Sequence, residues 1–297
     1  MKSLTRNIRR GSVGVDVRYV KEALFTLGYL KKTPTHNLFG SDTRKAVIDF
    51  QAANKDIYGV KLDQDGVVGE LTFGAIRALL AGSPTDILKY ADFPNISKAV
   101  LDAINKDLKF ATDIRVKMVQ NLLPFAFDNK SVVKQPSSLY VFGANLYNPD
   151  LTLNVATEKY IRKRAAARPQ YFTGGRLEWM IKQANSRKIC CADCSGAIVG
   201  SLRKEKLVKA SFDTTANNFC SNRYSSKTTK SALLPGDFVG RPGHIGVYVG
   251  GGEVLEFVGG AYTCQLTKLN NRKARNFVKN TMDSFGGWAT YRTPIFY

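Results

Sequence analysis

The sequence predicts an α+β fold: a small three-helix module, a helical connector, and a region that joins a helix to an antiparallel sheet. Three observations predict it. Apolar residues recur at helical spacing through the first 82 positions. Helical spacing returns from Ile96 to about Phe127. From Leu234 onward it gives way to period-two alternation punctuated by glycines, as strands require. The chain has 297 residues, of which 44% are apolar and 11% aromatic. That is ordinary globular composition, and the length allows about two domains. A disordered tail, a collagen-like chain and a disulfide-stapled mini-protein are excluded.

The first module contains an internal echo. Phe39-Gly40-Ser41-Asp42-Thr43-Arg44-Lys45-Ala46-Val47 recurs as Val68-Gly69-Glu70-Leu71-Thr72-Phe73-Gly74-Ala75-Ile76. Each copy reads as a tight turn, a Ser/Thr/Asp-capped helix start and an apolar stripe. The stripes are Ala46, Val47, Phe50 and Ala75, Ile76, Leu79. An earlier stripe, Val17, Val20, Ala23, Leu24 and Leu27, ends at Gly28. Periodicity alone allows these helices to be an ordinary core. Their wording goes further. Gly11 to Val17, Leu24 to Tyr29, the two Gly-x-x-Thr turns, Phe50-Gln51 and Asp65-Gly66-Val67-Val68-Gly69 occur in the order of the common peptidoglycan-binding domain of wall hydrolases, which residues 5–82 resemble. His36-Asn37-Leu38 departs from the family's usual Asp-Gly before the first turn.

Residues 83–155 read as a linker and helical connector that either stands alone or packs with the C-terminal region. Turn residues fill 83–95, and two apolar runs come next: Val100, Leu101, Ile104, Leu108, then Ile114, Val116, Met118, Val119, Leu122, Leu123. Residues 128–154 read as loop, with Tyr140, Phe142, Leu146 and Tyr147 as packing anchors. A helix from Glu158 to Arg168 carries Lys159, Arg162, Lys163, Arg164 and Arg168, a run that reads as a solvated face or as one set against an anionic polymer.

The chemistry concentrates at Cys190-Cys191-Ala192-Asp193-Cys194-Ser195-Gly196. One reading is a zinc knuckle on Cys191-x-x-Cys194, but Cys220 and Cys264 are isolated and form no second pair. A second is a dithiol redox motif, for which nothing else in the chain supplies a thioredoxin-type unit. The third is a nucleophilic cysteine at a helix start, since Ala197, Ile198, Leu202 and Leu207 form a stripe just after Cys194. A helix N-terminus lowers a thiol pKa from ~8.5, and a fall of ~2 units leaves most of it ionised at pH 7. An imidazole is available. His244 lies on a strand whose Ile245, Val247 and Val249 point to one face and whose His244, Gly246 and Tyr248 point to the other. A turn at Gly250-Gly251-Gly252 makes Glu256 its cross-strand neighbour, placed to orient the ring as a third catalytic member. A core histidine and a strand-edge carboxylate are the plainer alternatives.

Asp193-Cys194-Ser195-Gly196, Leu234-Pro235-Gly236-Asp237 and Gly243-His244-Ile245-Gly246-Val247-Tyr248-Val249-Gly250 together resemble the NlpC-type cysteine peptidases over residues 156–297. The resemblance implies a papain-like domain that cuts peptidoglycan stem peptides, with Cys194 as nucleophile, His244 as general base and then acid, and no cofactor or metal. It implies cleavage next to D-glutamate; N-acetylmuramoyl-L-alanine amidase activity on the same set is the alternative. The family often has His where this chain has Glu256. It also carries a Tyr and a Gly-Gly pair before the cysteine, to which Tyr171 and Gly174-Gly175 correspond at a longer spacing. Backbone N–H groups near Cys194 would form the oxyanion site, with Asp193 and Ser195 beside them.

The chain carries 44 Lys+Arg against 24 Asp+Glu, a net +20, which calls for an anionic partner. No zinc finger or RNA-binding motif points to a specific nucleic acid. Peptidoglycan, the anionic wall polymer, is the expected partner. The start MKSLTRNIRRGSVG lacks the apolar core of a signal peptide, and no run is long enough to span a membrane. The expected route is therefore synthesis in the cytoplasm and action at the wall, either after lysis-type release, as for a phage endolysin, or on a phage tail or virion. A non-catalytic wall-binding phage structural protein is the second class of reading.

Overall fold

A computed structural model describes residues 4–34, 36–82, 88–128, 130–131 and 135–297. The fold is α+β, with an N-terminal helical module of α1 (Val15–Thr26), α2 (Ser41–Ala53) and α3 (Glu70–Gly82). Val17, Val20, Ala23, Leu24, Ala46, Val47, Phe50, Ala75 and Ile76 form its core as their spacing predicts. Leu79 does not join them. It is 40% exposed, and Leu80 takes the inward position. The expected side-chain cap is also absent at the first echo, where Gly40 precedes α2 without a capping bond. The threonines turn inward instead, Thr43 and Thr72 both being buried. Gln51 explains the second turn. Its amide donates to Asp65 Oδ1 (2.9 Å), the Val67 carbonyl (2.9 Å) and Thr72 Oγ1 (3.2 Å), while its oxygen accepts from the Gly66 N–H (2.9 Å). One buried side chain thus satisfies the polar groups of a whole turn. His36 sits in this module, with its carbonyl bound by Lys21 Nζ at 2.8 Å.

The expected linker over 83–95 falls partly on 83–87, outside the described residues. Beyond it, α4 (Lys98–Leu108) and α5 (Asp113–Leu122) divide the helical run in two. Residues 128–154, read as loop, contain strand β1 (Ser138–Tyr140), which pairs in parallel with β2 (Cys190–Ala192). Three residues are too few for alternation to show. Next come α6 (Glu158–Ala167), the unanticipated α7 (Arg176–Ser186), α8 (Cys194–Lys204) and the short α9 (Ala216–Phe219). Leu207 lies beyond the end of α8. The main sheet has β3 (Ser225–Lys227), β4 (Phe238–Arg241), β5 (His244–Gly250), β6 (Glu253–Val258), β7 (Thr263–Lys268) and, out of sequence order, β10 (Thr290–Pro294). Its order is β3-β10-β4-β5-β6-β7, antiparallel throughout, and β8 (Lys273–Asn276) and β9 (Thr281–Ser284) form a separate hairpin.

One core joins Val100, Leu101, Ile104 and Val119 of α4 and α5 to Ile198, Val199 and Leu202 of α8 and to Ile245, Val247, Val249, Leu255 and Phe257 of the sheet. The connector helices therefore pack as part of the same body as Cys194. The opposite sheet face carries Val239, Tyr248, Val254 and Trp288. In α6, Ile161 and Ala165 are buried, whereas Lys159, Arg162 and Lys163, and Arg168 just past its end, face solvent.

The polar side of α1 is buried too, because it is where the module meets the body. Arg18 Nε donates to Glu22 Oε1 (3.0 Å) and Arg115 Nε to Glu22 Oε2 (2.8 Å). Arg115 Nη1 reaches Asp237 Oδ1 (2.9 Å) and the Pro235 carbonyl (3.0 Å), and Arg18 Nη2 reaches the Ile295 carbonyl (2.7 Å). The Leu234-Pro235-Gly236-Asp237 turn that opens β4 is thus the body's half of a buried ion-pair network.

Candidate active site

Strand β2 feeds α8 through Asp193, whose carboxylate caps the helix by accepting from Gly196 N–H at 2.7 Å. Its other oxygen accepts from Gly143 N–H at 2.7 Å, and the Ser195 hydroxyl donates to the capping oxygen at 3.1 Å. Asp193 therefore ties the start of α8 to the loop after β1. Gly196 is required there, since a Cβ would lie 2.0 Å from the Ala144 carbonyl oxygen. Cys194, the first residue of α8, opens onto a cleft of about 590 Å3. Tyr140, Phe142, Asn145, Tyr171, Thr215 and Asn217 are among its lining. A wider depression of about 910 Å3 near Tyr90 and Arg187 is lined by no cysteine or histidine.

The helix start does not depress the thiol pKa as expected. Cys194 is only 8% exposed, so burial, with Asp193 adding to it, pushes the thiol up to about 12. The N–H groups of Ile245, Ser195 and Cys194 itself pull the other way without prevailing. Desolvation of an anion outweighs a few oriented dipoles here. The bond from Ile245 also sets the sulfur against the residue next to His244.

His244 and Glu256 come together. The pairing of Val247 with Leu255 brings Glu256 level with Gly246, one step diagonal to His244 on the same face. Nε2 of His244 lies 2.6 Å from Glu256 Oε2. Burial raises the Glu256 carboxyl, but hydrogen bonds from His244 and Arg272 outweigh it and hold the group at about 2. An ionised carboxylate only accepts hydrogen bonds, so Nε2 carries the proton and Nδ1 is left as the basic nitrogen. Thr267 Oγ1 donates to Glu256 Oε1 at 2.6 Å. The missing side chain at Gly246 makes room: a Cβ would stand 2.7 Å from Val254 Cγ1 and 3.1 Å from Trp288 Cη2.

Tyr171 is 39% exposed and stacks on Phe142 at 3.9 Å, at the edge of the cleft. The tyrosine set deeper is Tyr140, whose hydroxyl is pushed up by burial and by the neighbouring Cys194. The sequence reads Tyr140 as a packing anchor only, although Tyr140 and Gly143 repeat the Tyr-x-x-Gly spacing of Tyr171 and Gly174. Arg272, Thr267, Trp288 and Asn217, which accepts from Gly243 N–H at 2.8 Å, also went unforeseen. The five cysteines are free thiols. Cys191 and Cys194 pack into different cores, which separates the two members of the zinc-knuckle reading. Among the described residues, no group of three His, Cys, Asp or Glu is placed to hold a metal ion, and no helix is long and apolar enough to cross a membrane.

Residues 13–76 match the family described as "Putative peptidoglycan binding domain". The N-terminal module is thus a peptidoglycan-binding domain. No curated protein matches the chain. Among solved structures, the chain is similar to the crystal structure of the Burkholderia AP3 phage endolysin at 23% identity, over 62% of this chain and 55% of that one. The chain thus spans little more than half of that protein, and the TM-score of 0.21 is too low to define a shared fold.

Proposed function

We propose that the chain is a peptidoglycan hydrolase that cleaves a stem-peptide amide bond through a cysteine. The observation that carries this reading is a cleft cysteine at a helix start whose sulfur accepts from the N–H of Ile245, the residue after a histidine whose Nε2 is held by a buried carboxylate, in a chain that carries a peptidoglycan-binding domain. In this mechanism Cys194 rests as a neutral thiol. When the substrate fills the cleft, Nδ1 of His244 takes the thiol proton as sulfur attacks the amide carbon. The imidazolium then protonates the departing amine, and the acyl group stays on sulfur. Water, deprotonated by the same imidazole, releases it. Glu256 remains an anion and stabilises the imidazolium without taking its proton. The N–H groups that point to Cys194 are the nearest donors for the oxyanion.

The preferred bond is the amide next to D-glutamate, with the sugar–peptide amide as the competing target. The binding domain raises the local concentration of substrate. Action at the wall comes either after lysis-type release or from a mounting on a phage particle. The test is digestion of purified sacculi with mass spectrometry of the fragments. New amino termini within the stem peptide, absent with Cys194→Ala, are expected. Full activity of Cys194→Ala overturns the nucleophile assignment, and binding without any cleavage by the intact protein favours the non-catalytic structural reading.

A further inference from the structure

Beyond the three proposed catalytic residues, a second layer stands behind Glu256, supplied by the segment after β7. The Arg272 Nε donates to Glu256 Oε1 at 2.8 Å and to Oε2 at 3.0 Å, and its Nη2 donates to Oε2 as well. The guanidinium carbon lies 4.7 Å from the Trp288 ring centre and 5.0 Å from that of Phe285. The same Trp288 ring is stacked with the His244 imidazole, centres 5.7 Å apart and planes 12° from parallel. Arg272 is 6% exposed and Trp288 8%. The Trp288 indole N–H is buried and makes no hydrogen bond among the described residues, so the ring acts through its faces.

We propose that Arg272 and Trp288 are positioning residues that hold the Glu256–His244 pair in its working geometry. This rests on the reading of Cys194, His244 and Glu256 as the catalytic set. A buried carboxylate needs a compensating cation. A neutral imidazole, which the first proton transfer requires, supplies none, and Arg272 does. Glu256 therefore stays ionised whether His244 is neutral or cationic, and the imidazole alternates between the two without unsettling its anchor. The fork of Arg272 fixes the carboxylate plane, and Trp288 fixes the plane of the imidazole. Neither side chain lines the cleft, so their contribution falls on turnover rather than on substrate binding.

The chain's two histidines make this testable by imidazole nitrogen NMR on the full-length protein, with His36→Gln assigning the signals. In the wild type, His244 is expected as the Nε2–H tautomer with a slowly exchanging ring proton. Arg272→Gln and Trp288→Ala should lose that protection and lower kcat on sacculi up to about a hundredfold, the loss that a 1 Å misplacement brings. KM should hold. Trp288→Phe, which keeps an aromatic face, should retain both the protected proton and turnover. If Arg272→Gln does not give a cooperative melt, Arg272→Lys is judged by the same criteria. Wild-type kcat with an unprotected ring proton, or loss appearing in KM alone, overturns the proposal. Retained turnover in His244→Ala would instead sink the catalytic reading, while the His244 ring-proton signal in the wild type and in the Arg272 and Trp288 variants still reports on the clamp.

Discussion

Replacing Arg115 with methionine should destabilise the protein and uncouple its two parts. Arg115 and Asp237 have wholly buried side chains, and that of Glu22 is 1% exposed. Burial lowers the Arg115 guanidinium, but Glu22 and Asp237 outweigh it and hold the group firmly protonated. With Arg18, the network contains two cations and two anions. Removing Arg115 leaves one buried negative charge uncompensated, and breaking such a pair costs about 3–5 kcal/mol. At roughly 2–4 °C per kcal/mol, the expected fall in Tm is on the order of 10 °C. Adding Glu22→Gln restores neutrality, so the double variant should be less destabilised than the two single losses combined, with a coupling of about 0.5–3 kcal/mol. Urea unfolding followed by two probes reads the rest. Both tryptophans, Trp179 and Trp288, lie in the body, whereas circular dichroism also sees the helices of the module. The two curves should coincide in the wild type and separate in Arg115→Met. A loss below about 1 kcal/mol, the range of exposed ion pairs, would refute the reasoning.

Other consequences are open to measurement. Gly196→Ala drives a Cβ against the Ala144 carbonyl, a backbone atom with no freedom to yield, so a loss of about 1–3 kcal/mol and slower alkylation of Cys194 are expected. An unchanged melt would refute the contact. Burial pushes Cys191 and Cys194 up to about 12 and Cys220 to about 11. Groups raised in the folded state favour folding below their unfolded pKa, so stability should fall as pH rises from about 9 towards 12; equal urea midpoints at pH 7 and pH 10.5 would contradict this. Glu256, held at about 2 against an ordinary ~4.3, works in the opposite direction. Its stabilisation is complete above pH ~4 and fades as pH falls towards 2, and Glu256→Gln should lose that acid dependence in the same assay.

The legibility of the sequence tracks the range of its signals. Helical stripes and strand alternation are local, so α2, α8 and β5 were legible, as was the shared face of His244 and Glu256. β1 was not, because a three-residue parallel strand has no period to display. Nor was the environment of Arg18 and Glu22. One face of an isolated helix reads as solvated, and only the arrival of Arg115 and Asp237, 93 and 215 positions beyond Glu22, makes it an interior. The thiol pKa failed for a related reason. The helix start was visible in the sequence, but the burial that overrides it comes from strands more than 40 residues further on. Arg272 and Trp288 lacked any signal, since nothing local distinguishes an arginine or a tryptophan aimed at a distant carboxylate.

The net charge of +20 takes on a more definite meaning against this geometry. No lysine or arginine lines the cleft, whose charged groups are Asp193 and Asp213. The basic residues lie instead on surfaces such as α6, where Lys159, Arg162 and Lys163 face solvent. The chemistry proposed for the cleft therefore gains nothing directly from the positive charge. An excess spread over the body attracts a polyanion at distances up to the Debye length of about 8 Å at physiological salt, and it does so without regard to which bond is presented. Under the proposed function, selection of the bond falls to a cleft with acidic but no basic side chains, and capture of the polymer falls to the surface and the binding module. The two respond differently to salt. Raising ionic strength should weaken adsorption to sacculi while leaving the turnover of a short, soluble, uncharged amide substrate nearly unchanged, and a parallel loss of both would place the working cations inside the cleft after all.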